Sequence, residues 1–330
     1  MILDGQDSAA IEAAAQALRR GELIGLPTET VYGLGADACS DAAVAKVFAL
    51  KGRPADHPLI VHVADVAGVD DFASAVPGFA RALMQRFWPG PLTLILPRKL
   101  DVGAMVAGGQ DSIGLRCPSH PVAQALLRAA QALGVHGVAA PSANKFGRVS
   151  PTTAQHVRDE FGDALLVLDG GACAVGIEST IIDCTRGAPV LLRPGQITWD
   201  QVLSTCGPTV SGQAALAQPA PRASGTLESH YAPNAQVRLM ETDQLQAALD
   251  LLGKQADTLS LAVYARTPVR LPSPRVLLRR MPIQADAAAH QLFAVLRELD
   301  AKGLKLIWIE MPPASPEWAG VRDRLVRAAA

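Results

Sequence analysis

Arginines at the ends of apolar runs are the residues of this sequence best suited to bind an anion. Arg116 ends the run SIGLR and Arg193 ends VLLR, and in both places a proline follows within two residues. Arg53, in the segment KGRP at 51–54, is taken as a third strand end of this kind. A guanidinium is a planar fork of donors that fits phosphate or carboxylate. Because strand ends of one sheet can converge, the three arginines predict a site for a polyanionic ligand such as ATP.

A stiff loop places two further basic side chains beside Arg53. Lys51 ends a predicted helix, and the chain continues through Arg53 to His57, with prolines at positions 54 and 58. A lysine at a helix C-terminus can serve the helix dipole alone. Fixing three basic side chains in one proline-bounded loop makes more sense if they meet an anion. Lys51, Arg53 and His57 therefore join the candidate site.

Hydroxyl and amide side chains follow several apolar runs. They lie in PTETVYGLG at 27–35, in APSANKFG at 140–147 with Ser150 close behind, and in GIESTII at 176–182. α/β sheets place their ligands beyond strand ends, and exposed backbone N–H groups in such turns can cradle a phosphate. An ordinary polar loop, or a Ser or Asx turn that caps the helix at Thr152, explains the first two segments equally well at this point.

Common nucleotide and hydrolase signatures do not account for these residues. GLGADA at 33–38 satisfies a loose dinucleotide fingerprint, but PTETVY separates it from its strand and the expected acidic residue is missing. The sequence has no Walker A, GxSxG or HExxH motif. His57 and His62 are five residues apart across a predicted strand, so they point to opposite faces rather than to one metal. We predict no metal site in the protein.

The elements that must position these residues alternate between short apolar runs and helix-period segments. Apolar runs are LIGLP, LIVHV, LTLIL, SIGLR and GVAA, with helices predicted over 41–50, 79–87 and 122–133. Three further runs, LLVLDG, STIIDC and VLLRPG, are separated by turn residues rather than by helices. The pattern predicts an α/β fold whose sheet is mixed and partly antiparallel.

A linker rich in Ala, Pro, Ser and Gly separates two predicted domains. It extends from Gly207 to Pro233 without a sustained hydrophobic period. Beyond it, four apolar runs alternate with helix-period segments and predict a smaller, Rossmann-like α/β domain. We therefore predict a catalytic domain at 1–207, a linker at 208–233 and a C-terminal domain at 234–330.

Composition and charge limit the classes of function. The 330 residues are 49% hydrophobic, enough for two cores, which excludes disorder as the main state. Residues 1–208 carry 16 basic and 20 acidic side chains, against 14 and 11 in 209–330, so no strong basic field is available for a polyanion. Five cysteines without a CxxC pair indicate neither a disulfide framework nor a zinc knuckle. With no signal peptide or membrane helix evident, we expect a cytoplasmic protein that contacts no membrane.

The polar segments, in their order and spacing, resemble the threonylcarbamoyl-AMP synthase family, whose catalytic module has the YrdC-like fold. The resemblance covers essentially the whole chain. It rests on PTETVYGLG at 27–35, KGRP and HPLIVHV within 51–63, PSAN at 141–144, GIEST at 176–180 and LLRPG at 191–195. SHYAP at 229–233 and the domain after it are similar to the two-domain branch of the family. The resemblance implies a twisted mixed sheet of the YrdC type with flanking helices.

The resemblance also implies an activity. Such an enzyme is a nucleotidyltransferase that condenses L-threonine, bicarbonate or CO2, and ATP to L-threonylcarbamoyl-AMP and pyrophosphate. The product would serve the threonylcarbamoyladenosine (t6A) modification of tRNA beside the anticodon. A downstream tRNA-modifying transferase is therefore an expected partner, and the protein itself could contact tRNA.

The family's site residues carry over onto matching positions of this sequence. Those expected around L-threonine are Thr30, His62, Arg116, Ser142 and Ser179. Those expected around ATP are Lys51, Arg53, His57, Ser112, Asn144, Ser150, Arg193, His230 and Tyr231. Lys51 and Arg53 are also expected to act in catalysis, by offsetting phosphate charge as pyrophosphate leaves, with Mg²⁺ carried on the nucleotide. His230 and Tyr231 would close the linker over the nucleotide and keep water from a labile intermediate.

Two alternatives stay open. YrdC-like modules can present a positively lined concavity, so the chain could bind double-stranded RNA or tRNA, or act in ribosome maturation. The acidic balance of residues 1–208 and the 4% aromatic content argue against that function. A carbamoyltransferase or hydrogenase-maturation relative could share the module, but the zinc-finger cysteine pairs of such proteins are absent from the sequence.

Overall fold

A computed structural model describes residues 1–207, 220–226 and 230–330 of the chain. These residues form two compact units. The first unit comprises residues 1–146 and 150–226, and the second comprises residues 147–149 and 227–330. Much of the predicted linker, at 208–219 and 227–229, lies outside the described residues. The boundary expected at residue 207 and the linker's role as a lid therefore stay predictions.

One mixed sheet, of ten strands within the described residues, organises the first unit. The strands are β1 (Ile2–Asp4), β2 (Ile24–Leu26), β3 (Gly33–Asp37), β4 (Ile60–His62), β5 (Leu92–Pro97), β6 (Ser112–Arg116), β7 (Val138–Ala139), β8 (Leu166–Asp169), β9 (Thr180–Asp183) and β10 (Val190–Arg193). Their spatial order is β1-β8-β2-β3-β7-β4-β6-β5-β9-β10. Parallel pairs such as β4–β6 and β5–β9 alternate with antiparallel pairs such as β5–β6 and β9–β10. The predicted mixed, partly antiparallel sheet is confirmed.

Most helices of the first unit begin at a residue whose side chain caps the helix. They are α1 (Ser8–Arg19), α2 (Asp41–Lys51), α3 (Gly78–Phe87), α4 (Pro121–Ala132), α5 (Ala154–Phe161) and α6 (Trp199–Cys206), with a 3-10 helix at Ala67–Asp71. The side chain of Ser40 accepts a hydrogen bond from the backbone of Ala43 at the start of α2. Gly52 ends α2 in the left-handed region, at a φ of 66°. This stop turns the chain directly after Lys51 and starts the loop that carries Arg53.

Two hydrophobic clusters pack against the sheet. Val47 of α2 and Val61 of β4 belong to one cluster, and Leu18 of α1 belongs to the other. Val138 and Ala139 are neighbours in β7 but belong to different clusters, so the clusters cover opposite faces of that strand. Burying each aliphatic side chain of this kind contributes about 1.5–3 kcal/mol. The sheet is thus fixed on both faces and can hold side chains at its strand ends rigidly.

A four-stranded parallel sheet organises the described residues of the second unit. Its strands are β11 (Gln236–Met240), β12 (Leu261–Ala265), β13 (Leu277–Arg280) and β14 (Leu306–Glu310), in the order β11-β14-β12-β13. Its helices are α7 (Thr242–Leu252), α8 (Ala285–Ala301) and α9 (Ala319–Ala329), with 3-10 helices at Gly253–Thr258 and Pro316–Trp318. Every strand pair is parallel, which confirms the expected Rossmann-like α/β unit.

Two parts of the first unit differ from the expected elements: the segment Gly33–Asp37 and the position of Arg53. Gly33–Asp37 forms β3 rather than a loop, pairing with both β2 and β7. A Cβ on Gly35 would lie only 2.9 Å from Leu26, so glycine is needed for this close approach. Arg116 and Arg193 do end strands, but Arg53 follows helix α2, so its assignment as a third strand end was wrong.

No helix among the described residues is long and apolar enough to cross a membrane.

Candidate active site

Buried Lys51 ties the end of α2 to the loop at 141–144. Its amine donates to the carbonyl oxygens of Ser142, at 2.6 Å, and of Asn144, at 2.5 Å. Lys51 is 2% exposed. Burial lowers its pKa well below the usual value, and the charge of Arg53 adds to this effect. Lys51 thus fixes the backbone of a loop that carries two of the predicted binding residues.

Arg53 and His57 contact the same aromatic ring. The guanidinium of Arg53 lies 5.7 Å from the ring centre of Phe146, and the His57 ring meets that ring edge-on with centres 5.4 Å apart. Arg53 also donates to the carbonyl oxygen of Pro58 at 2.8 Å. Burial, followed by the charge of Arg53, lowers the pKa of His57. The proline-bounded loop therefore brings its two predicted residues together, and it favours the neutral form of His57.

Arg193, at the end of β10, holds the start of β9. Its Nε donates to the carbonyl oxygen of Ser179 at 3.0 Å, and one of its terminal nitrogens donates to the Ser179 hydroxyl at 3.1 Å. The hydroxyl of Thr93 lies 2.8 Å from that of Ser179. All three side chains are buried. A residue predicted for ATP and one predicted for L-threonine are therefore in direct contact here.

Ser224 joins the two arginines predicted to bind ATP. Its hydroxyl accepts a hydrogen bond from Arg53 at 3.2 Å, and its carbonyl oxygen accepts one from Arg193 at 2.9 Å. Arg222 anchors the same segment through an ion pair with Asp56, at 3.1 Å. Residues 220–226, a part of the predicted linker, thus pack within the first unit beside these arginines.

A small, partly open cavity of about 10 Å³ lies under this segment. Its lining is mostly apolar and includes Ile60, Ile95 and Ile181 from three strands of the sheet. Ser112 and Ser224 contribute hydroxyl groups to the same lining. Predicted Ser112 is therefore close to the segment that Arg53 and Arg193 contact.

Arg116, at the end of β6, meets the turn after β2. Its Nη1 donates to the Thr30 hydroxyl at 2.8 Å, and its Nη2 lies 2.7 Å from the carboxylate of Glu29. Nε donates to the carbonyl oxygen of Gly90 at 3.2 Å. Arg116 and Glu29 are both less than a tenth exposed. Arg116 and Thr30, two of the five residues predicted for the amino acid, thus share one hydrogen bond.

His62 stands beside Arg116 on the neighbouring parallel strand, in direct register with it. Burial lowers the pKa of His62 to about 3, and the charge of Arg116 contributes to this shift. Nδ1 of His62 has no hydrogen-bond partner among the described residues. His62 is therefore neutral at ordinary pH, and its Nδ1 is a buried polar atom beside Arg116.

Ser150 and Asn144 complete the predicted residues of the first unit. The hydroxyl of Ser150 donates to the carboxylate of Glu178 at 2.5 Å, and both side chains are buried. The amide of Asn144 donates to the carbonyl oxygen of Lys145 at 2.7 Å. Glu178 directly precedes Ser179, so Ser150 is linked to the segment that Arg193 holds.

His230 and Tyr231 belong to the second unit. Their rings meet edge-on with centres 4.1 Å apart, and the Tyr231 ring lies 5.4 Å from that of Phe293. The guanidinium of Arg324 lies 5.4 Å from the centre of the Tyr231 ring. Tyr231 adopts a φ of 64°, a conformation that costs free energy for a residue with a side chain. Their predicted closure over ATP remains a prediction.

The first unit therefore brings the predicted residues together in connected groups. Ser179 links the amino-acid set to Arg193, and Ser142 links it to Lys51. Sequence reasoning did not single out Glu29, Thr93, Phe146, Glu178 or Ser224. Glu29 and Glu178 stand inside the motifs PTET and GIEST, so the motif context was a usable signal for both. In the part of the chain that the structure describes, no group of His, Cys, Asp or Glu side chains could hold a metal ion.

Family models match nearly the whole chain. The model for the Sua5, YciO and YrdC proteins, described as telomere recombination, matches residues 16–195. The model described as the threonylcarbamoyl-AMP synthase C-terminal domain matches residues 197–330.

Curated relatives and solved structures agree with these matches. The threonylcarbamoyl-AMP synthases of Pyrococcus abyssi and Bacillus subtilis are each 37% identical to the chain, covering 96% and 97% of it and 93% and 92% of the relatives. A structure of P. abyssi Sua5 complexed with L-threonine is 34% identical and covers 97% of the chain and 94% of its own length, with a TM-score of 0.85. A double-alanine variant of the same Sua5 covers 100% of the chain and 96% of its own, at 33% identity and a TM-score of 0.87.

The mixed-sheet unit, its buried basic and hydroxyl side chains and these matches define an α/β enzyme of the nucleotidyltransferase type. Such enzymes use ATP as a substrate. The chain belongs to the threonylcarbamoyl-AMP synthase family, and its reaction is the formation of threonylcarbamoyl-AMP for tRNA modification. The matches favour this activity over the RNA-binding and maturation alternatives.

Proposed function

We propose that Arg116 binds the carboxylate of L-threonine and that Thr30, His62, Ser142 and Ser179 complete the amino-acid site. The contact between Arg116 and Thr30 supports this assignment, as does the register of His62 with Arg116. A guanidinium can bind a carboxylate through two parallel hydrogen bonds. The P. abyssi structure complexed with L-threonine makes the same amino acid the natural candidate for this chain.

ATP lies, in this proposal, along the loop and strand ends that carry Lys51, Arg53 and Arg193. The guanidinium groups of Arg53 and Arg193 already share Ser224, so one phosphate chain could reach both. The remaining nucleotide contacts in the proposal come from His57, Ser112, Asn144 and Ser150. The apolar side chains around Ser112 offer a surface against which the nucleobase could pack.

The chemistry requires positioning rather than a covalent enzyme intermediate. The neutral threonine amine attacks CO2: the N–C bond forms as one C=O π bond opens onto oxygen, and the nitrogen then loses a proton to solvent, which gives a carbamate. A carbamate oxygen then attacks the α-phosphorus of ATP in line, and pyrophosphate leaves. Arg53 and Lys51 offset the charge that develops on the leaving phosphates. Because Lys51 already donates to two carbonyl oxygens, it also keeps Ser142 and Asn144 in place during this step.

The wider setting of the reaction is also part of the proposal. Mg²⁺ enters bound to the phosphates of ATP, as part of the substrate. His230 and Tyr231 close over the nucleotide and keep water from the labile product. The product passes to a tRNA-modifying transferase that completes t6A, and this places the reaction in the cytoplasm.

The hydrogen bond between Arg193 and Ser179 is the observation that carries the proposal. It puts a residue of the nucleotide set and one of the amino-acid set within 3.1 Å, as the transfer of a carbamate to the α-phosphorus requires. The test is pyrophosphate release from ATP with L-threonine and bicarbonate together and with each omitted in turn. We expect release only with both. Release that ignores L-threonine would identify a different nucleotide-hydrolysing reaction.

A further inference from the structure

Glu29 is a buried carboxylate to which the reaction scheme assigns no task. It is 7% exposed and lies between Thr28 and Thr30 in the turn after β2. Its Oε2 accepts a hydrogen bond from the backbone N–H of Ser119 at 3.1 Å. Its Oε1 lies 2.7 Å from Nη2 of Arg116. Glu29 therefore connects the turn after β2 to the segment that follows β6.

Three contacts fix the guanidinium of Arg116. Nε donates to Gly90, Nη1 donates to Thr30, and Nη2 faces Glu29. The contact with Glu29 is a close ion pair without hydrogen-bond alignment, because neither Oε1 of Glu29 nor Nη2 of Arg116 has a hydrogen-bond partner among the described residues. An arginine carries five N–H donors. Nη1 and Nη2 therefore keep N–H groups that make no hydrogen bond among the described residues, and the two nitrogens lie side by side, as bidentate binding of a carboxylate needs.

We propose that Glu29 is a positioning residue for the amino-acid substrate: its charge holds the guanidinium of Arg116 in the orientation that presents Nη1 and Nη2 to the substrate carboxylate. The inference rests on the proposed binding of that carboxylate by Arg116. Glu29 acts through Arg116 and touches no reacting atom. Without it, Arg116 keeps its hydrogen bonds to Gly90 and Thr30 but loses the opposite charge that holds its guanidinium against the turn after β2.

The ion pair also makes the buried arginine tolerable before the substrate arrives. A buried charge is costly unless an opposite charge and hydrogen bonds accompany it. Glu29 supplies that charge, and Ser119 anchors the other carboxylate oxygen. Arg116 is thus oriented before the substrate binds, so the substrate meets a preformed fork of donors.

The test compares Glu29→Gln, Glu29→Asp and Arg116→Gln by steady-state pyrophosphate release. Glu29→Gln keeps the size of the side chain but removes its charge, and we expect its KM for L-threonine to rise by about tenfold or more. Its KM for ATP should change by less than about twofold. Glu29→Asp keeps the charge but shortens its reach, so its KM for L-threonine should fall between those of the wild type and Glu29→Gln. Glu22→Gln, which removes an exposed carboxylate paired with Arg20, is the matched control and should behave as the wild type.

Three outcomes separate the positioning role of Glu29 from the proposed binding of the substrate carboxylate by Arg116. If Arg116→Gln raises the KM for L-threonine while folded Glu29→Gln and Glu29→Asp do not, Glu29 has no positioning role and the proposed function stands. If Arg116→Gln also leaves that KM unchanged, the proposed binding of the carboxylate fails. Thermal unfolding and ATP binding of each variant separate loss of fold from loss of positioning. If Glu29→Gln does not fold, Glu29→Asp carries the test, and an unchanged KM for L-threonine in that variant overturns the proposal.

Discussion

The two halves of the proposed active site differ in the charged side chains that they bring together. The amino-acid half, formed by Thr30, His62, Arg116 and Glu29, sets one arginine 2.7 Å from one carboxylate. The nucleotide half, formed by Arg53, Arg193 and Ser224, brings two arginines onto one serine. An arginine paired with a carboxylate suits a ligand of no net charge, such as an amino acid. Two arginines on one serine suit a ligand with several negative charges.

The largest expected effect comes from removing one arginine of the nucleotide half. Arg53→Ala should keep the fold and lower kcat/KM by about a thousandfold, because an arginine that offsets phosphoryl charge contributes at that scale. Binding of L-threonine in the absence of ATP should stay close to that of the wild type. Pyrophosphate-release kinetics and calorimetric titration check the two parts. Arg20→Ala, at an exposed site, is the control, and undiminished turnover in Arg53→Ala would remove Arg53 from the nucleotide half.

A smaller effect should appear in the pH dependence of stability, through His62 in the amino-acid half. The pKa of His62 is lowered by burial to about 3, whereas an unfolded histidine titrates near 6.5. The unfolded state therefore binds the proton first, and stability is lost as the pH falls from about 6.5 toward 3. Between pH 6.5 and 4.5 the free energy of unfolding should drop by about 2–3 kcal/mol more than in His62→Gln. Denaturant titrations of both proteins across this range measure the difference, and parallel curves would show that His62 is not buried in its neutral form.

The smallest effect should be a difference in salt dependence between the two ligands. Raising the NaCl concentration from about 0.05 to 0.5 M should weaken ATP binding by about tenfold and L-threonine binding by about twofold or less. The reason is the number of charges that each half brings together. Titration of each ligand at several salt concentrations gives the two slopes. Equal slopes would mean that the charge difference between the halves does not govern binding.

Much of the site could be predicted because its residues sit in motifs beside apolar runs. Arg116 and Arg193 were predicted to end strands, and they end β6 and β10. The residues hydrogen-bonded to Lys51 and Ser179 also lie next to helices and strands that the sequence predicts. The alternation of apolar runs and helix-period segments predicts the α/β fold, and the runs separated by turns predict its mixed sheet, because hydrophobic periodicity is a local property of the sequence.

The features that escaped prediction depend on distant contacts. Gly33–Asp37 has the composition of a loop, and it becomes a strand because β2 and β7 pair with it from both sides. In the sequence, Glu29 is an ordinary polar turn residue, and only the fold places it in contact with Arg116. Ser224 lies in a segment whose composition is that of a linker, yet it meets two arginines of the sheet unit. No local pattern encodes such pairings.

The separation of the two halves is tested most directly by a crossed binding experiment. L-threonine and a non-hydrolysable ATP analogue are titrated separately into the wild type, Arg116→Gln and Arg53→Ala. We predict that Arg116→Gln loses affinity for L-threonine but keeps that for the analogue, and that Arg53→Ala shows the reverse. Two results would contradict the account. In the first, each folded variant loses affinity for both ligands. In the second, Arg116→Gln loses affinity for the ATP analogue but not for L-threonine.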